Sequence, residues 1–462
     1  MSTPSLPWRY QDDDDDNAPA PSLDLTDLAE IIQQSHTTRE AAYTVSREMR
    51  SRLIAVREHG MGTPQAATDL QTFLDAYPQI ASGSEDRSRR EANLSSVVEE
   101  YLRLCAFQHF LTTAPGSDVP LLLPPPTWAT DEEYLAGAMM GLAKEELEPY
   151  GLGRATVRDT ASVQAARNVT DAILQALLQF DFRNGPLRRK YDGVKYALKA
   201  LETLLYELAV TTPAASEESA SKKPKLETTP ALLPTESLAA LQHRMEERDA
   251  LREQLIKHCR DGQKAAKQAI FALHRGDRST VLLDTCRTCI TDTLFPIVQQ
   301  EPPLRVSGSF TSVVEEYVEA SLFAAWLYGR RSADEPNAEP LVRPAAVLLG
   351  WREFEDMLGF PLEPEEYLGG LSDLSGEVGR FAVQRGTARD VAGVKLCLVT
   401  NGAILREFQK MGRLPGKSGG NKMEAVRRSV GKLERMLYEL SLSEAAGGRN
   451  VQTDVVMEEE TK

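Results

Sequence analysis

The chain contains itself twice. The run SVVEEY occurs at 96–101 and again at 312–317. EEYL followed by a Gly two residues on occurs at 132–137 and 365–370, and a Leu-Glu then Leu-Tyr-Glu-Leu pattern at 201–208 and 433–440. The separations are 216, 233 and 232 residues, in one order, so whole domains have been duplicated and this is not a small solenoid repeat. A duplication constrains the fold twice over: each copy must close its own core, and each serves as a control for the other. Where one copy keeps an acid that the other has lost, the difference points at chemistry.

With 462 residues the two copies have ample length for two cores. The chain divides into an acidic tail at 1–22 that reads as disordered, a first lobe at 23–210, a Thr-, Pro- and Ser-rich flexible linker at 211–233, a second lobe at 234–442 and a polar tail at 443–462. Residues 235–275 place Leu, Ile, Ala and Phe at helical spacing and predict one long helix stopped by Gly276; residues 24–58 predict its counterpart, ending near Gly60. Few segments alternate as strands do. The fold class is therefore all-α, two tandem helical bundles.

No apolar run approaches the roughly 20 residues of a membrane helix, and the N-terminus, with aspartates from Asp12 to Asp16, carries no secretory leader. Five scattered cysteines fit a reducing compartment. Cys286 and Cys289 stand at metal or redox spacing, but without a second pair they read as buried thiols. The net charge of −15 argues against a surface that binds nucleic acid everywhere, so any such site is a concentrated basic patch. Lys222, Lys223 and Lys225 in the linker read as a nuclear import signal or as a solvated charge cluster; the expected location is cytoplasmic and nuclear.

The chemistry concentrates in the second lobe. Glu316 and Glu319 are three apart on one helix face, beside Val313, Ala320 and Phe323; Asp373 and Glu377 are four apart on another helix, among Gly369, Gly370 and Gly376. If those helices face each other, four carboxylates converge. Crowded carboxylates raise one another's pKa or bind a cation, and an all-oxygen set suits Mg²⁺ or Mn²⁺. No Glu-x-x-His of the di-iron type accompanies them, and the nearest imidazoles, His258 and His274, lie on another helix. Such a site suits phosphodiester hydrolysis. Taken singly, each acid pair is more simply a solvated helix face. The first copy argues otherwise: it keeps Glu100 at the place of Glu316 but has Arg103 for Glu319, Met140 for Asp373 and Lys144 for Glu377, with a one-residue slip allowed at Glu145. Arg87, Arg89 and Arg90 precede the first repeated phrase, and Arg305 stands in the matching place of the second; these are the candidate phosphate contacts. The Arg188–Lys190 cluster is a further candidate, or orders a loop or a subunit contact.

The stretch Arg188 to Tyr196 running into LKALETLLYELAV resembles the C-terminal signature of translin. RMEERDALREQLIKHCRD, AIFALHRGD, EEYVEA at 315–320 and EYLGGLSDLSGE at 366–377 resemble translin-associated factor X. The chain thus resembles a translin lobe fused to a factor X lobe. The resemblance implies translin-type bundles of about seven helices each, and a homo-oligomer whose lobes form an octamer-like shell binding single-stranded RNA and single-stranded DNA. It implies a Mg²⁺- or Mn²⁺-dependent endoribonuclease centre acting on short RNAs, in small-RNA strand removal or tRNA fragment processing. Glu316, Glu319 and Asp373 map onto the family's catalytic acids, and Glu377 onto a further metal ligand. Translin's basic, histidine-rich stretch is represented here only by Arg87, Arg89 and Arg90. The alternative reading is a single-strand-binding scaffold without catalysis.

Overall fold

The computed structural model describes residues 21–81, 87–113, 122–182, 186–211, 233–330, 344–416 and 419–459, and the side chains of all of these but 87–93, 186 and 444–459. Every regular element among the described residues is helical. α1 (Thr26–Glu58) stops just before Gly60, whose φ of +101° a residue without Cβ adopts readily. α2 (Pro64–Ala76) starts on Thr63, whose hydroxyl accepts the Ala66 N–H, with Pro64 in the first helical position. α3 (Arg87–Thr112) carries the first copy of SVVEEY. The chain then enters α4 (Asp131–Tyr134), passes through a π-helical stretch, Leu135–Leu147, and leaves it as α5 (Glu148–Thr156). α6 (Thr160–Leu177) and α7 (Pro186–Thr211) complete the first copy.

α8 (Thr235–Leu273) is the second long helix, about 58 Å at 1.5 Å per residue. Gly276, at φ +87°, turns the chain away from it. α9 (Thr280–Thr288), a π-helical turn at Cys289–Leu294 and α10 (Phe295–Gln300) follow. α11 (Gly308–Tyr328) carries the second SVVEEY, capped by the Ser307 hydroxyl. After α12 (Trp351–Leu358) comes α13 (Pro364–Thr387), opened by a reciprocal cap in which Glu366 accepts the Glu363 N–H. α14 (Val391–Met411) and α15 (Gly419–Glu459) end the fold. No described helix is long and apolar enough to cross a membrane.

The helices form two compact units: His36–Asp249, and Met1–Ser35 together with Ala250–Lys462. The lobes read from the repeats part at the linker, whereas these units part inside α1 and α8. Side-chain packing explains the difference. Leu25 and Leu28 are buried in one core with Leu255 and Cys259, while Leu238 and Leu241 are buried in the other with Leu233. Each fully buried leucine stabilises its core by about 1.5–3 kcal/mol. Arg244 reinforces the second arrangement with a two-pronged bond to Asp131, Nε to Oδ2 at 3.1 Å and Nη2 to Oδ1 at 2.5 Å.

In the unit containing Ala250–Lys462, α11 and α13 lie against each other at a glycine seam. A Cβ on Gly370 would meet the Val318 Cγ1 at 2.7 Å and the Glu315 carbonyl oxygen at 2.9 Å. A Cβ on Gly369 would meet the Glu315 carboxyl at 2.5 Å. The seam brings the two acid-bearing helices together.

Candidate carboxylate site

Glu316 and Glu319 project from α11, and Asp373 and Glu377 from α13. They gather around Glu319, the most enclosed of them. Burial first, then the charges of Asp373, Glu377, Glu316 and Glu315, push its carboxyl up to about 8. Glu315 is a fifth member that the pairwise spacing did not single out. Burial pushes it up to about 7, and the Asp373 carboxyl adds to the rise against the pull of Lys422.

Three basic side chains from distant segments reach these acids. Lys422 of α15 pairs with Glu315 and stands 3.3 Å from Asp373. Lys267 of α8 lies 3.0 Å from Glu316. His274, just past the end of α8, sets Nε2 at 2.5 Å from a Glu377 oxygen, and Arg380 is 3.7 Å from the same oxygen. The His274 side chain is almost wholly buried and its Nδ1 has no hydrogen-bond partner among the described residues, so Nε2 is the ring nitrogen that donates a hydrogen bond to Glu377. The sequence reading had set this histidine apart from the acids.

Among the described residues, no group of three or more His, Cys, Asp or Glu side chains is arranged to hold a metal ion. The four acids converge, but not into a closed cage. Glu316 and Asp373 are each drawn to a lysine, and like charges keep crowded carboxylates apart. In kind, the donors still fit a hard divalent cation. They are all carboxylate oxygens, the Asp373 side chain is 44% exposed, and they crowd a half-buried Glu319 whose carboxyl burial and like charge push up to about 8.

The first unit shows the same place filled differently. Arg103, at the position of Glu319, pairs with Glu145, lies 3.1 Å from Glu146 through Nε and 3.7 Å from Glu100. Arg57 adds a second contact to the buried Glu146 at 3.1 Å. The slip allowed at Glu145 has a structural cause. The π-helical stretch widens each turn, so Glu145 and Glu146 face Arg103 while Lys144 turns to Glu148 at 2.5 Å. The first unit therefore keeps three carboxylates here and supplies its own guanidinium to neutralise them.

Other candidates fare differently. The side chains of Arg87, Arg89 and Arg90 lie outside the described residues. Arg305 is committed elsewhere: its fork holds the fully buried Glu366 at 2.5 and 2.8 Å and bonds the Pro361 carbonyl at 3.1 Å, with Phe310 and Phe360 beneath it. Such a guanidinium holds the entry of α13 in place and is a poor phosphate ligand. Lys190 pairs with Glu99, the first-copy counterpart of Lys422 with Glu315, so this bridge belongs to the shared scaffold. Burial pushes the Cys286 thiol up to about 12 and raises Cys289, as expected of core thiols.

Residues 250–444 match the model of the Translin family. No curated protein matches the chain. Among solved structures, "Crystal structure of apo-NeC3PO" is similar at 16% identity, covering 45% of this chain and 98% of that chain with a TM-score of 0.35. The all-α architecture rests on the helices themselves. Residues 250–444, the region that carries all five acids, are thus similar to the Translin family.

Proposed function

We propose that this protein binds single-stranded RNA and cleaves it by metal-dependent phosphodiester hydrolysis at the Glu316, Glu319, Asp373 and Glu377 cluster. The observation that carries the reading is the contrast between the copies: the first unit places Arg103 among its acids, and the second places another carboxyl, Glu319, at the same point. Glu316, Glu319, Asp373 and Glu377 would hold Mg²⁺ or Mn²⁺. Bound there, such an ion neutralises charge building on a phosphoryl oxygen and makes water a better nucleophile.

The chain's own residues supply the rest. His274 fixes the Glu377 carboxyl by a donated hydrogen bond, as outer partners of carboxylate ligands do. Lys422 holds Asp373 and Glu315, and Lys267 holds Glu316, so loading the site exchanges lysine contacts for cation contacts. Arg380 opens onto a groove between α13 and α15 that Arg428 and Lys432 also line, which suits phosphates next to the acids. The match of residues 250–444 to the Translin family supports a nucleic-acid substrate, and the fused-lobe resemblance supports assembly of several chains into a shell of lobes.

A second reading, a single-strand-binding scaffold without catalysis, is favoured by one observation: Glu316 and Asp373 are paired to lysines, and among the described residues no three acids are gathered into a metal-holding set. Incubating a labelled short RNA with the full chain, with and without a chelator, separates the two. Chelator-sensitive fragments support the enzyme, and binding without fragments supports the scaffold. Asp373→Ala is expected to lower cleavage by roughly a hundredfold or more while RNA binding persists. Unchanged turnover in that variant refutes the site.

A further inference from the structure

Along α8 the residues Arg260, Lys264, Lys267 and Phe271 follow one another at spacings of four, three and four, which puts them on one face. With Gln263 and Gln268 they line an open groove of about 770 Å³. Arg260, Lys264, Lys267 and Phe271 are all exposed, and Phe271 keeps 49% of its surface in solvent. Arg275 extends the row, its guanidinium 4.2 Å above the Phe271 ring.

This combination is specific in kind. Cations alone would suit any polyanion. Cations interleaved with an exposed aromatic face suit a single strand, whose phosphates and unpaired bases need both. A duplex hides its base faces, and an acidic peptide has none to stack. The row also leads somewhere: Lys267, in its middle, is the lysine that touches Glu316 of the acid cluster. From Arg260 to Phe271 the helix rises about 16 Å at 1.5 Å per residue. At about 3.4 Å per nucleotide of a stacked strand, that length spans about five nucleotides.

The geometry points to this face of α8 as the track that delivers single-stranded RNA to the carboxylates. Arg260 and Lys264 hold phosphates, and Phe271 with Arg275 forms a stacking platform for a base. The inference rests on the functional reading above and adds the path of the strand.

The test measures RNA binding by the full chain in chelator, so that cleavage is silent, across a series of salt concentrations. The probe is a fluorescently labelled oligouridine, with a blunt RNA duplex as control. The double variant Arg260→Ala with Lys264→Ala is expected to bind more weakly and to lose about 1.4 from the salt slope, since each phosphate contact on a single strand contributes about 0.7. Phe271→Ala is expected to weaken binding about tenfold with the salt slope unchanged, as a lost stacking contact does. Phe271→Trp is expected to keep affinity and to show indole fluorescence quenched by bound RNA. All these positions are exposed, so thermal melting should not move. Wild-type affinity and slope in the first two variants, with no quenching in the third, overturn the track while leaving the enzyme reading standing. Equal losses for the duplex also overturn it. A wild-type chain that binds no single strand sinks both.

Discussion

Arg103 and Glu319 occupy the same step of the same repeated helix and reverse the charge of their surroundings. In the first unit a guanidinium lies among Glu100, Glu145 and Glu146, so the carboxylates are neutralised by the chain itself. In the second unit Glu319 sets a further carboxyl beside those of Glu315, Glu316, Asp373 and Glu377, and burial and those neighbours push it up to about 8. The scaffold around them is shared: the Glu99–Lys190 and Glu315–Lys422 bridges correspond, and so do Gly137 and Gly370 at the helix seam. The difference therefore lies in the cargo of the scaffold. At this step one copy carries a guanidinium and the other a carboxyl.

The strongest way to break this comparison is Arg103→Ala. It leaves Glu146, whose side chain is 1% exposed, with Arg57 as its remaining described cation. Removing one partner from a buried ion network costs about 3–5 kcal/mol. Glu319→Ala, by contrast, removes like-charge crowding and is expected to leave the second unit as stable as before, or more so, in cation-free buffer. Hydrogen exchange read by peptide separates the two units within the full chain: faster exchange in α3 and the Leu135–Leu147 stretch for Arg103→Ala, no acceleration in α11 and α13 for Glu319→Ala. Equal acceleration in both would mean that Arg103 does not stand in for a cation.

A smaller effect sharpens the shared part. Gly137→Ala would set a Cβ 2.2 Å from the Glu99 carbonyl oxygen, a backbone atom that cannot turn away. Gly370→Ala meets Val318 Cγ1 at 2.7 Å, a side chain that can partly yield, before reaching the Glu315 oxygen at 2.9 Å. Overpacking of this kind costs about 1–3 kcal/mol, offset by about 1 kcal/mol of helix propensity gained over glycine. Denaturant melts should rank Gly137→Ala as the more damaging. The reverse order would show that the seam is looser in the first copy, and that the two scaffolds are less alike than the repeat implies.

These arguments also show what the sequence could carry. The long helices were legible because α1 and α8 keep apolar side chains at helical spacing and end at glycines of positive φ, Gly60 and Gly276. The four acids were legible because the copies disagree at Arg103 and Met140. Lys267, Lys422 and His274 were not, since an ion pair between segments 49 to 107 residues apart leaves no local pattern. Lys422 did leave a trace, in the recurrence of Lys190 at the matching place, and Glu315 another, as the neighbour of Glu316 in a phrase repeated whole. Arg305 misled because proximity to a repeated phrase says nothing of Glu366, which lies 61 residues on and is buried. The π-helical stretch was visible only as a doubt over the register at Lys144 and Glu145.

The smallest effect is a pH dependence, and it has a definite sign. An unfolded glutamate titrates near 4.5, whereas folded Glu319 holds its proton up to about 8 and Glu315 up to about 7. Between those limits the folded chain binds more protons than the unfolded one, so stability falls as pH rises. Below about 4.5 the contribution is fully present, and above about 8 it is gone. The first unit has a buried acid as well, but Arg57 and Arg103 oppose the rise at Glu146, so its dependence should be shallower. Peptide-resolved hydrogen exchange at several pH values in chelator reads both units at once. The sharper half of the test repeats it with Mg²⁺, which binds only ionised carboxylates and so should flatten the slope in the second unit alone. A slope that Mg²⁺ leaves untouched, or one equally steep in the first unit, means that the extra carboxylate is a buried neutral acid and not the missing half of a cation site.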